Sequence, residues 1–500
     1  MEKKLVYDIH DKPKFSQLLI LALQQVLAIL AATIAVPTII GLPTQIPAAI
    51  LGAGVGTLVY QLFTKFKSPV FLGSSFAFLS SLGVAIAYGY CGILLGSAVA
   101  GLVYVVIAII IHFTGTAWVN KLMPPVIIGP TVALIGLSLA GAAMSDMVKA
   151  NSSSIFGGYN LAALFCGFVA FLVIVICSTQ KRYKMPRLIP FIIGIVSGYA
   201  MAAILTLIGT LADVDYLMII NFQPLVDNFV AADGTFKGLS AFFSFPDFAL
   251  IEGIKELTTG EMSAEIIAAN SNATLLNMGG IAEVIIAFLP VALVVFAEHI
   301  ADHKNLSSII DRDLIQEPGL KRTLLGDGVG SIAGTVFGIC PNTTYGVSVG
   351  CIDITRNASI VTITTTAIMC ILLSFLSPIT ALLQTIPSCV MGGVCLTLYG
   401  FIAVSGLKMF KDLDLNNSKN LFVVSAILIS GIGGLTIQIP YAFAENGAVA
   451  NTIQITAIAT ALILGIVTNA ILTKVEKSKL GIDPEEQEAP AQAASEETQA

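Results

Sequence analysis

Four ionisable residues near the end of one apolar segment have the types and spacing needed for proton transfer or for binding a polar ligand. Glu298, His299, Asp302 and His303 follow the apolar run 281–297. On a helix the two carboxylates lie i, i+4 on one face, and the two imidazoles lie on an adjacent face. Ionisable side chains inside a membrane are costly and usually functional. We therefore interpret Glu298 as a ligand acceptor and protonation site, with Asp302 and His303 as further candidates for proton coupling.

The same cluster allows less specific interpretations. Glu298 could be a structural partner of another buried polar group, and Asp302 and His303 could lie at the cytoplasmic interface. A zinc site formed by His299 and His303 has the i, i+4 spacing but no evident third ligand. Asp327 is as consistent with structural pairing as with activity. We expect no metal site, and no cofactor other than a proton as the coupling ion.

The composition indicates the kind of scaffold that must position this cluster. Of the 500 residues, 56% are hydrophobic and only 11% are charged, whereas soluble domains have about 25% charged residues. The chain has four histidines and one tryptophan. No nucleophile–base pair or phosphate-binding loop supports an enzyme. These features predict a polytopic, all-α membrane protein that is not an enzyme.

Apolar runs give the number of membrane crossings, because a helix needs about 20 apolar residues to span a bilayer. Two further stretches, 68–88 and 341–356, are apolar but interrupted by small and hydroxyl residues, and each is interpreted as a broken crossing. Together they predict fourteen crossings. The twelve continuous spans are predicted at 15–38, 46–64, 91–113, 126–146, 157–178, 187–212, 281–303, 321–340, 358–379, 386–410, 419–438 and 449–473.

The distribution of basic residues supports fourteen crossings with both termini in the cytoplasm. With that topology, 22 of the 25 Lys and Arg residues fall on the inner side, as the positive-inside rule requires. The acidic segment 213–280 then faces outward. The N-terminal residues 1–14 and the tail 474–500 are cytoplasmic, and the acidic, Ala- and Gln-rich sequence of the tail predicts disorder.

A repeated feature predicts where the two halves of the chain meet. GSSFAF (73–78) and PNTTYG (341–346) interrupt crossings three and ten, and Phe76 and Tyr345 are 269 positions apart. The starts of spans one and eight are 266 positions apart. Small residues also allow close helix packing without any site. The matching offsets favour two inverted seven-segment repeats whose broken elements pair as short antiparallel strands near the bilayer midplane.

Extended backbone inside a bilayer is tolerated only where protein or a polar cavity surrounds it. Two strands that meet there can pair with each other and leave some N–H groups free for a ligand. A half-helix that starts after each strand directs its positive dipole end towards the same cavity. Such a site suits a flat molecule with carbonyl acceptors.

At these motifs the sequence resembles the nucleobase–ascorbate transporter family, in its bacterial uracil permease branch. The resemblance covers nearly the whole membrane region, and includes QQVLAILAATIAVP (24–37) and SCVMGGVCLTLYGFIAVSGL (388–407). It implies a proton-coupled symporter that imports a nucleobase, uracil or a related base, across the cytoplasmic membrane. The implied domains are a core of segments 1–4 and 8–11 (15–113 and 281–379) and a gate of segments 5–7 and 12–14 (114–212 and 380–473).

The resemblance also implies which residues contact the substrate and which partners the protein has. The family's proton-linked His falls at Asp302, with His303 next to it. A homodimer through the gate domain, contact with membrane lipid and no nucleic-acid partner are further implications. The substrate contacts implied in this sequence are Ala32, the backbone near Phe76, Glu298, Tyr345, the Gly346 N–H, the position of Val347, and Tyr399 from the gate.

Three positions depart from the family pattern. Val347 replaces a Gln, Glu or Pro that serves the second polar edge of the base, and Ser348 replaces an Asn. Gln25 stands where the family has a His in its first segment. A buried donor left without a partner costs about 1–3 kcal/mol. The departures bear on which substrate is bound and leave the expected fold unchanged.

Two other functions stay open at the level of sequence. One is a carrier of another small solute on the same fold, such as an anion or a modified base, although Glu298 disfavours an anion. The other is a non-transporting sensor or a membrane enzyme. The sequence supplies no motif for an enzyme, whereas Val347 keeps a sensor in consideration.

Overall fold

A computed structural model gives the fold, and its described part is mostly helical. It describes residues 5–149, 159–180, 186, 189–231, 233–443 and 449–479. The first half contains α1 (Phe15–Ile39), α2 (Ile46–Phe63), β1 (Leu72–Ser74), α3 (Leu79–Ile86), α4 (Gly89–Thr114), α5 (Ala117–Leu122), α6 (Pro125–Met147), α7 (Leu161–Thr179) and α8 (Pro190–Ala212). Three short helices follow, α9 (Gln223–Phe229), α10 (Ala249–Thr259) and α11 (Ala264–Ala269).

The second half repeats the pattern of long helices interrupted by a short strand, and adds a two-stranded hairpin before its last helix. Its elements are α12 (Met278–Ile310), α13 (Leu320–Phe337), β2 (Asn342–Thr344), α14 (Gly346–Thr355), α15 (Ile360–Ser374), α16 (Ser377–Gln384), α17 (Ser388–Lys408), α18 (Ser418–Ile432), β3 (Ile437–Phe443), β4 (Val449–Ile455) and α19 (Ala457–Lys479). Among the described residues, nine helices are long and apolar enough to cross a membrane: α1, α2, α4, α6, α7, α8, α12, α17 and α19.

Each of the twelve predicted continuous spans contains a helix, because a long apolar run in a bilayer must satisfy its backbone hydrogen bonds internally. Nine of these helices are the long apolar ones, and the other three are α13, α15 and α18. Residues 157 and 158, the start of the fifth predicted span, lie outside the described residues. The helix of that span begins after Asn160, whose side chain accepts a 2.9 Å hydrogen bond from the Ala163 N–H. Asn160 therefore caps α7.

The prediction was wrong where it extended spans thirteen and fourteen through 433–438 and 449–456. α18 ends at Ile432, and an antiparallel hairpin of β3 and β4 precedes α19. The tetrapeptide Thr-Ile-Gln-Ile occurs twice, at 436–439 and 452–455. The hairpin pairs the two copies, with Ile437 opposite Ile455. Apolar content was interpreted as helix, although β-branched residues alternating with polar ones favour a strand.

The predicted start of the disordered tail at 474 was also wrong. α19 continues to Lys479, and the Lys419 ammonium lies 3.4 Å from a carboxylate oxygen of Glu476. This contact between α18 and α19 accompanies an additional helical turn beyond the predicted span. The acidic sequence that indicated disorder begins at 483, and residues 480–500 lie outside the described part of the chain.

The predicted strand pairing is confirmed. β1 and β2 are antiparallel, with Leu72 opposite Thr344, Gly73 opposite Thr343 and Ser74 opposite Asn342. The Ser75 N–H donates to the Pro341 carbonyl at 3.1 Å, which extends the pairing beyond the strands. Both strands are fully buried. Neither Phe76 nor Tyr345 lies within a continuous helix, because Tyr345 follows β2 directly and only Ser75 separates Phe76 from β1.

The helices pack in two groups, and the strand pair belongs to the first. In one group, α13 packs on α2 and α4, α15 packs on α1 and α2, and α12 packs on α4. In the other, α17 packs on α6 and α7, α7 on α8, and α18 on α6 and α19. α1 and α12 also contact helices of the second group. The first group contains the strands, and α1 and α12 lie between the groups.

Glycines allow α2 and α13 to approach closely beside the strands. A Cβ on Gly52 would lie 2.2 Å from the Gly334 carbonyl oxygen, and one on Gly334 would lie 2.0 Å from the Asn342 side-chain nitrogen. Real side chains do not approach so closely, so these two positions require glycine. The close approach brings Asn342 on β2 against α13, which anchors the second strand.

The segment 213–280 packs against the adjacent ends of the first group. Glu256 on α10 is 2% exposed and accepts a 3.3 Å hydrogen bond from the Cys91 N–H in the first turn of α4. Glu265 accepts a 3.0 Å hydrogen bond from the Tyr90 hydroxyl. Burial raises the pKa of Glu256, while backbone N–H donors oppose that rise. The acids of this segment therefore have structural contacts that the sequence did not predict.

Candidate substrate site

The strand pair ends at the beginnings of two helices, and neither beginning is capped by a side chain. β1 leads through a 3-10 turn at Phe76–Phe78 into α3, and β2 leads through Tyr345 into α14. Neither Ser75 nor Tyr345 makes a side-chain cap hydrogen bond. The first N–H groups of a helix have no partner within the helix. Both half-helices therefore offer backbone donors and the positive ends of their dipoles at the strand crossing.

Aromatic rings form the walls beside these donors. The Phe76 and Tyr399 rings meet edge to face, with centroids 5.3 Å apart and an interplanar angle of 84°. Tyr345 lies against Gly73, where an added Cβ would be 2.6 Å from its ring. All three aromatic side chains are buried. The site thus combines flat apolar surfaces with backbone donors, which suits a planar ligand.

Gly346 is the open point of this otherwise buried region. It is exposed, although Tyr345 before it and Ser348 after it are buried. A Cβ at Gly346 would meet only one atom within 4 Å, an Asp302 carboxylate oxygen at 3.5 Å. Val347 and Glu298 are half-buried. The first turn of α14 and the face of α12 that carries Asp302 are therefore direct neighbours.

The predicted contact at Ala32 lies on α1, behind the aromatic wall. Ala32 is completely buried, and its neighbour Thr33 lies beside the Tyr345 hydroxyl. α1 also contacts β1 and α17. The structure therefore brings Ala32 to the same region as Phe76 and Tyr399. Its role as a direct contact stays a prediction.

Unpartnered polar atoms are concentrated at this crossing. A buried polar group without a hydrogen bond is rare in folded proteins and costs about 1–3 kcal/mol. Their clustering is typical of a site that binds a polar ligand or water. Within the described part of the chain, the buried atoms without a hydrogen-bond partner include Ser74 Oγ, Ser75 Oγ, Glu298 Oε2, Asp302 Oδ2, Thr344 Oγ1 and the hydroxyls of Tyr345 and Tyr399.

The two histidines of α12, by contrast, have all their ring nitrogens in contact with polar partners. His299 Nδ1 lies 2.6 Å from Asp327 Oδ2, and His299 Nε2 lies 3.0 Å from Thr323 Oγ1. The Thr323 hydroxyl donates its only hydrogen to the Leu320 carbonyl at 3.0 Å. It therefore accepts from His299 Nε2–H, so one proton lies between His299 Nδ1 and Asp327. Asp327 is thus a structural partner of His299.

His303 is held in a second chain of hydrogen bonds. Its Nδ1–H donates to the His299 carbonyl at 2.8 Å. Its Nε2 lies 2.9 Å from the Tyr60 hydroxyl, which also lies 2.8 Å from the Ser68 hydroxyl. If the imidazole is neutral, Tyr60 donates to His303 and accepts from Ser68. His303 is completely buried, and its predicted part in proton coupling stays a prediction.

The sequence did not predict Tyr60, Ser68 or Thr323 as partners of the histidines. Each is a hydroxyl residue on another segment, and similar residues are common throughout the chain. Nothing in their positions along the sequence relates them to the cluster at 298–303. These contacts depend on how α2 and α13 pack against α12, which only the tertiary structure fixes.

Comparison with known proteins gives the family of this apolar, helical protein. The permease family matches residues 16–440. The chain belongs to this family. It is therefore a multi-pass integral membrane transporter and not an enzyme. The resemblance seen in the sequence to the nucleobase–ascorbate transporters is confirmed.

Three relatives of this permease cover nearly its whole length. A protein named uracil permease from Bacillus caldolyticus is 36% identical over 472 residues, which are 94% of this chain and 95% of the relative. One of the same name from Bacillus subtilis (strain 168) is 33% identical and covers 96% of this chain and 98% of its own. A third, from Escherichia coli (strain K12), is 31% identical and covers 89% and 92%.

A solved transporter shares the fold of this permease at low sequence identity. The murine Solute Carrier 26 family member A9 anion transporter, in the inward-facing state, has a TM-score of 0.62 and 11% identity. The alignment covers 93% of this chain and 69% of the transporter. The likeness supports the fold and carries no information about the solute.

Proposed function

We propose that this permease is a proton-coupled symporter that imports a nucleobase, uracil or a related pyrimidine or purine base, across the cytoplasmic membrane. One observation carries the proposal. Glu298 Oε2 is buried without a hydrogen-bond partner, and it lies one turn before Asp302, which neighbours the uncapped start of α14. A nucleobase has ring N–H donors for the carboxylate and carbonyl acceptors for the N–H groups. The names of the relatives agree with this substrate class.

The binding mode follows from the directions of these groups. A base lying between the Phe76 and Tyr345 side chains presents one carbonyl to the N–H groups of Gly346 and Val347. Its ring N–H groups donate to Glu298, and a charge-assisted hydrogen bond of this kind is stronger than a neutral one. Tyr399 meets Phe76 edge to face and closes the cavity from the other helix group. Binding therefore supplies partners for buried groups that otherwise have none.

Two carboxylates on one helix face give the coupling proton a place to bind. Glu298 and Asp302 both have an unpartnered carboxylate oxygen. Two carboxylates one helical turn apart repel each other when both are ionised. A proton that enters from outside relieves this repulsion, so proton and substrate cross together as the two helix groups move about the site. Asp302 and His303 complete the proposed proton site.

The half-buried Val347 gives the second polar edge of the base no side-chain hydrogen bond. The alternative substrate is therefore a modified base that has an apolar substituent at that edge. An anion is disfavoured, because it would lie beside the carboxylates of Glu298 and Asp302. A sensor function would require binding without uptake.

The proposal includes an arrangement in the membrane. It has fourteen crossings in two inverted seven-segment repeats, with the strands in crossings three and ten, a core of segments 1–4 and 8–11, and a gate of the remaining six. Both termini are cytoplasmic, because 22 of 25 basic residues then lie inside. The gate helices serve as the surface for a homodimer, and the mass of the purified particle in detergent tests that part.

Labelling tests the topology. Asp233 lies in the segment 213–280 and is exposed. We expect an Asp233→Cys variant to react with an impermeant maleimide in intact cells, while a cysteine introduced in the tail at Ala500 reacts only after lysis. The parent protein, with its native cysteines, provides the background. Protection of position 233 together with labelling of position 500 in intact cells would reverse the topology.

Uptake into proteoliposomes tests the function. We expect uracil, or another member of a radiolabelled panel of pyrimidines and purines, to accumulate when the outside is more acidic than the inside, and accumulation to cease when a protonophore collapses the gradient. Uptake of a base without dependence on the gradient would exclude proton coupling. Uptake of anions alone, or binding without uptake, would exclude the proposed function.

A further inference from the structure

A buried hydrogen bond joins α1 to the helix that begins at the candidate site. Gln25 Nε2 donates to Ser348 Oγ at 2.6 Å. The two residues are 323 positions apart. Gln25 is 4% exposed and Ser348 is completely buried. Removing one partner of such a bond leaves the other unsatisfied in an apolar environment, so this contact strongly favours one orientation of the two helices.

Ser348 lies in the first turn of α14, where a small rotation of the helix changes the direction of the free N–H groups. It is the third residue of α14, in the same turn as Gly346 and Val347, whose N–H groups have no partner within the helix. Tyr345 provides no side-chain cap, and the Val349 N–H is already bonded to the Tyr345 carbonyl at 3.2 Å. The Gln25 amide is therefore a side-chain contact that fixes this turn from outside the helix.

We propose that Gln25 and Ser348 are positioning residues that set the selectivity of the site for a carbonyl-bearing ring. By fixing the first turn of α14, they aim its free N–H groups at the substrate carbonyl. The inference rests on the proposed function, because it needs a substrate that accepts hydrogen bonds from those N–H groups. Neither residue contacts the substrate in this account.

The selectivity has a physical basis in hydrogen-bond geometry. An N–H donor loses strength steeply when it is misaligned, and helix N–H groups cannot reorient independently of their turn. Sulfur is a weaker acceptor than a carbonyl oxygen. A fixed turn therefore discriminates a carbonyl from a thiocarbonyl, and a loosened turn discriminates less.

The chain offers a matched control pair. Thr364 Oγ1 donates to Gln61 Oε1 at 2.7 Å, and this bond joins α15 to α2. It is likewise a Gln–hydroxyl bond between helices that are distant in sequence, and Gln61 is completely buried. Neither residue lies on an element that begins at the strand crossing. Breaking this bond reports the purely structural cost of losing such a contact.

The experiment compares Gln25→Met, Ser348→Ala, their double variant and Gln61→Met with the parent in detergent. Calorimetry gives Kd for uracil, 2-thiouracil and 4-thiouracil, and a thermal scan gives the unfolding midpoint. We expect each single variant at the pair to weaken uracil binding about tenfold. One of the two thiouracils has sulfur in place of the carbonyl that accepts from the N–H groups of α14. Its binding should lose much less affinity in the same variants. The double variant should resemble either single variant, since the same bond is lost.

The outcomes separate this inference from the proposed function. Parent protein that binds none of the three ligands, nor any base of the panel, would overturn both. Parent protein that binds uracil while the pair variants keep the same ratio of uracil to thiouracil affinity would overturn only the positioning role. So would Gln61→Met changing that ratio equally, or single effects that multiply in the double variant.

Discussion

The two faces of α12 differ in how their ionisable groups are satisfied. On one face, Glu298 and Asp302 each have a buried carboxylate oxygen without a hydrogen-bond partner. On the other, the two histidines contact Asp327, Thr323 and Tyr60 through their ring nitrogens. The rings of His299 and His303 stack with centroids 4.1 Å apart. Four ionisable residues in six positions therefore have two different roles.

The difference shows how a transporter can hold unsatisfied groups in its interior. A buried polar atom without a partner costs about 1–3 kcal/mol. Rotation of α12 would bury the carboxylates of Glu298 and Asp302 in other surroundings, where no substrate or proton offsets that cost. The histidine face is tied to α2 and α13 by hydrogen bonds. We infer that these bonds fix the rotation of α12 and keep Glu298 and Asp302 at the cavity. Changes on the two faces should therefore have different consequences.

The largest effect is expected at the carboxylate face. Glu298→Gln should abolish proton-driven accumulation of the base, because the amide cannot titrate and places a donor where an acceptor is needed. Its unfolding midpoint should stay near that of the parent, since the side chain has nearly the same shape. Proteoliposome uptake with and without a pH gradient measures the first, and a thermal scan the second. Gradient-driven uptake by the variant would contradict the role assigned to this face.

A large loss of stability with a smaller loss of affinity is expected on the histidine face. Asp327→Leu leaves His299 Nδ1 unpartnered and should lower the free energy of unfolding by about 3 kcal/mol. Asp327→Asn is the matched control, since its amide can still donate to Nδ1 of a neutral imidazole and should cost less. Denaturation followed by the fluorescence of a thiol-reactive dye measures the free energy of unfolding of both variants. Equal stability of both variants and the parent would refute the pairing.

A gain of affinity is expected beside the carboxylates. Val347→Glu should supply a second side-chain contact to the base and tighten uracil binding by about 1–3 kcal/mol, roughly tenfold to a hundredfold. Val347→Leu, of similar polarity, serves as the control for a change of size. Calorimetry decides the result. Strong uracil binding by the parent that Val347→Glu leaves unchanged would contradict our account of how this site departs from its family.

The smallest effect is expected at Tyr60. Tyr60→Phe removes the hydroxyl between His303 and Ser68 and should lower the free energy of unfolding by about 1 kcal/mol. The ring remains, so the packing of α2 is kept, and Kd for the base should not change. The same thermal and calorimetric measurements apply. A change in Kd larger than the change caused by Asp327→Asn would place Tyr60 in the substrate site.

The sequence by itself determined the features that depend on local composition and on charge. Apolar runs located a helix in each of the twelve continuous spans, although two of these spans were extended into the hairpin of β3 and β4. A bilayer demands long helices whose backbone is satisfied internally. The interrupted segments at 73–78 and 341–346 predicted the strand pair, since small and hydroxyl residues at matching offsets break two otherwise apolar runs. Glu298 was predicted as a candidate site residue, because a carboxylate after a long apolar run is costly in a membrane.

Only the tertiary structure decided which polar groups meet. Gln25 and Ser348 lie in different halves of the chain, and their contact depends on the packing of α1 against α14. The same holds for His299 with Asp327, which α12 and α13 bring together. A hydrogen bond has a range of about 3 Å and needs correct angles. Local sequence sets the type and position of each residue along a helix, whereas the rotation and crossing of neighbouring helices set which partners come within that distance.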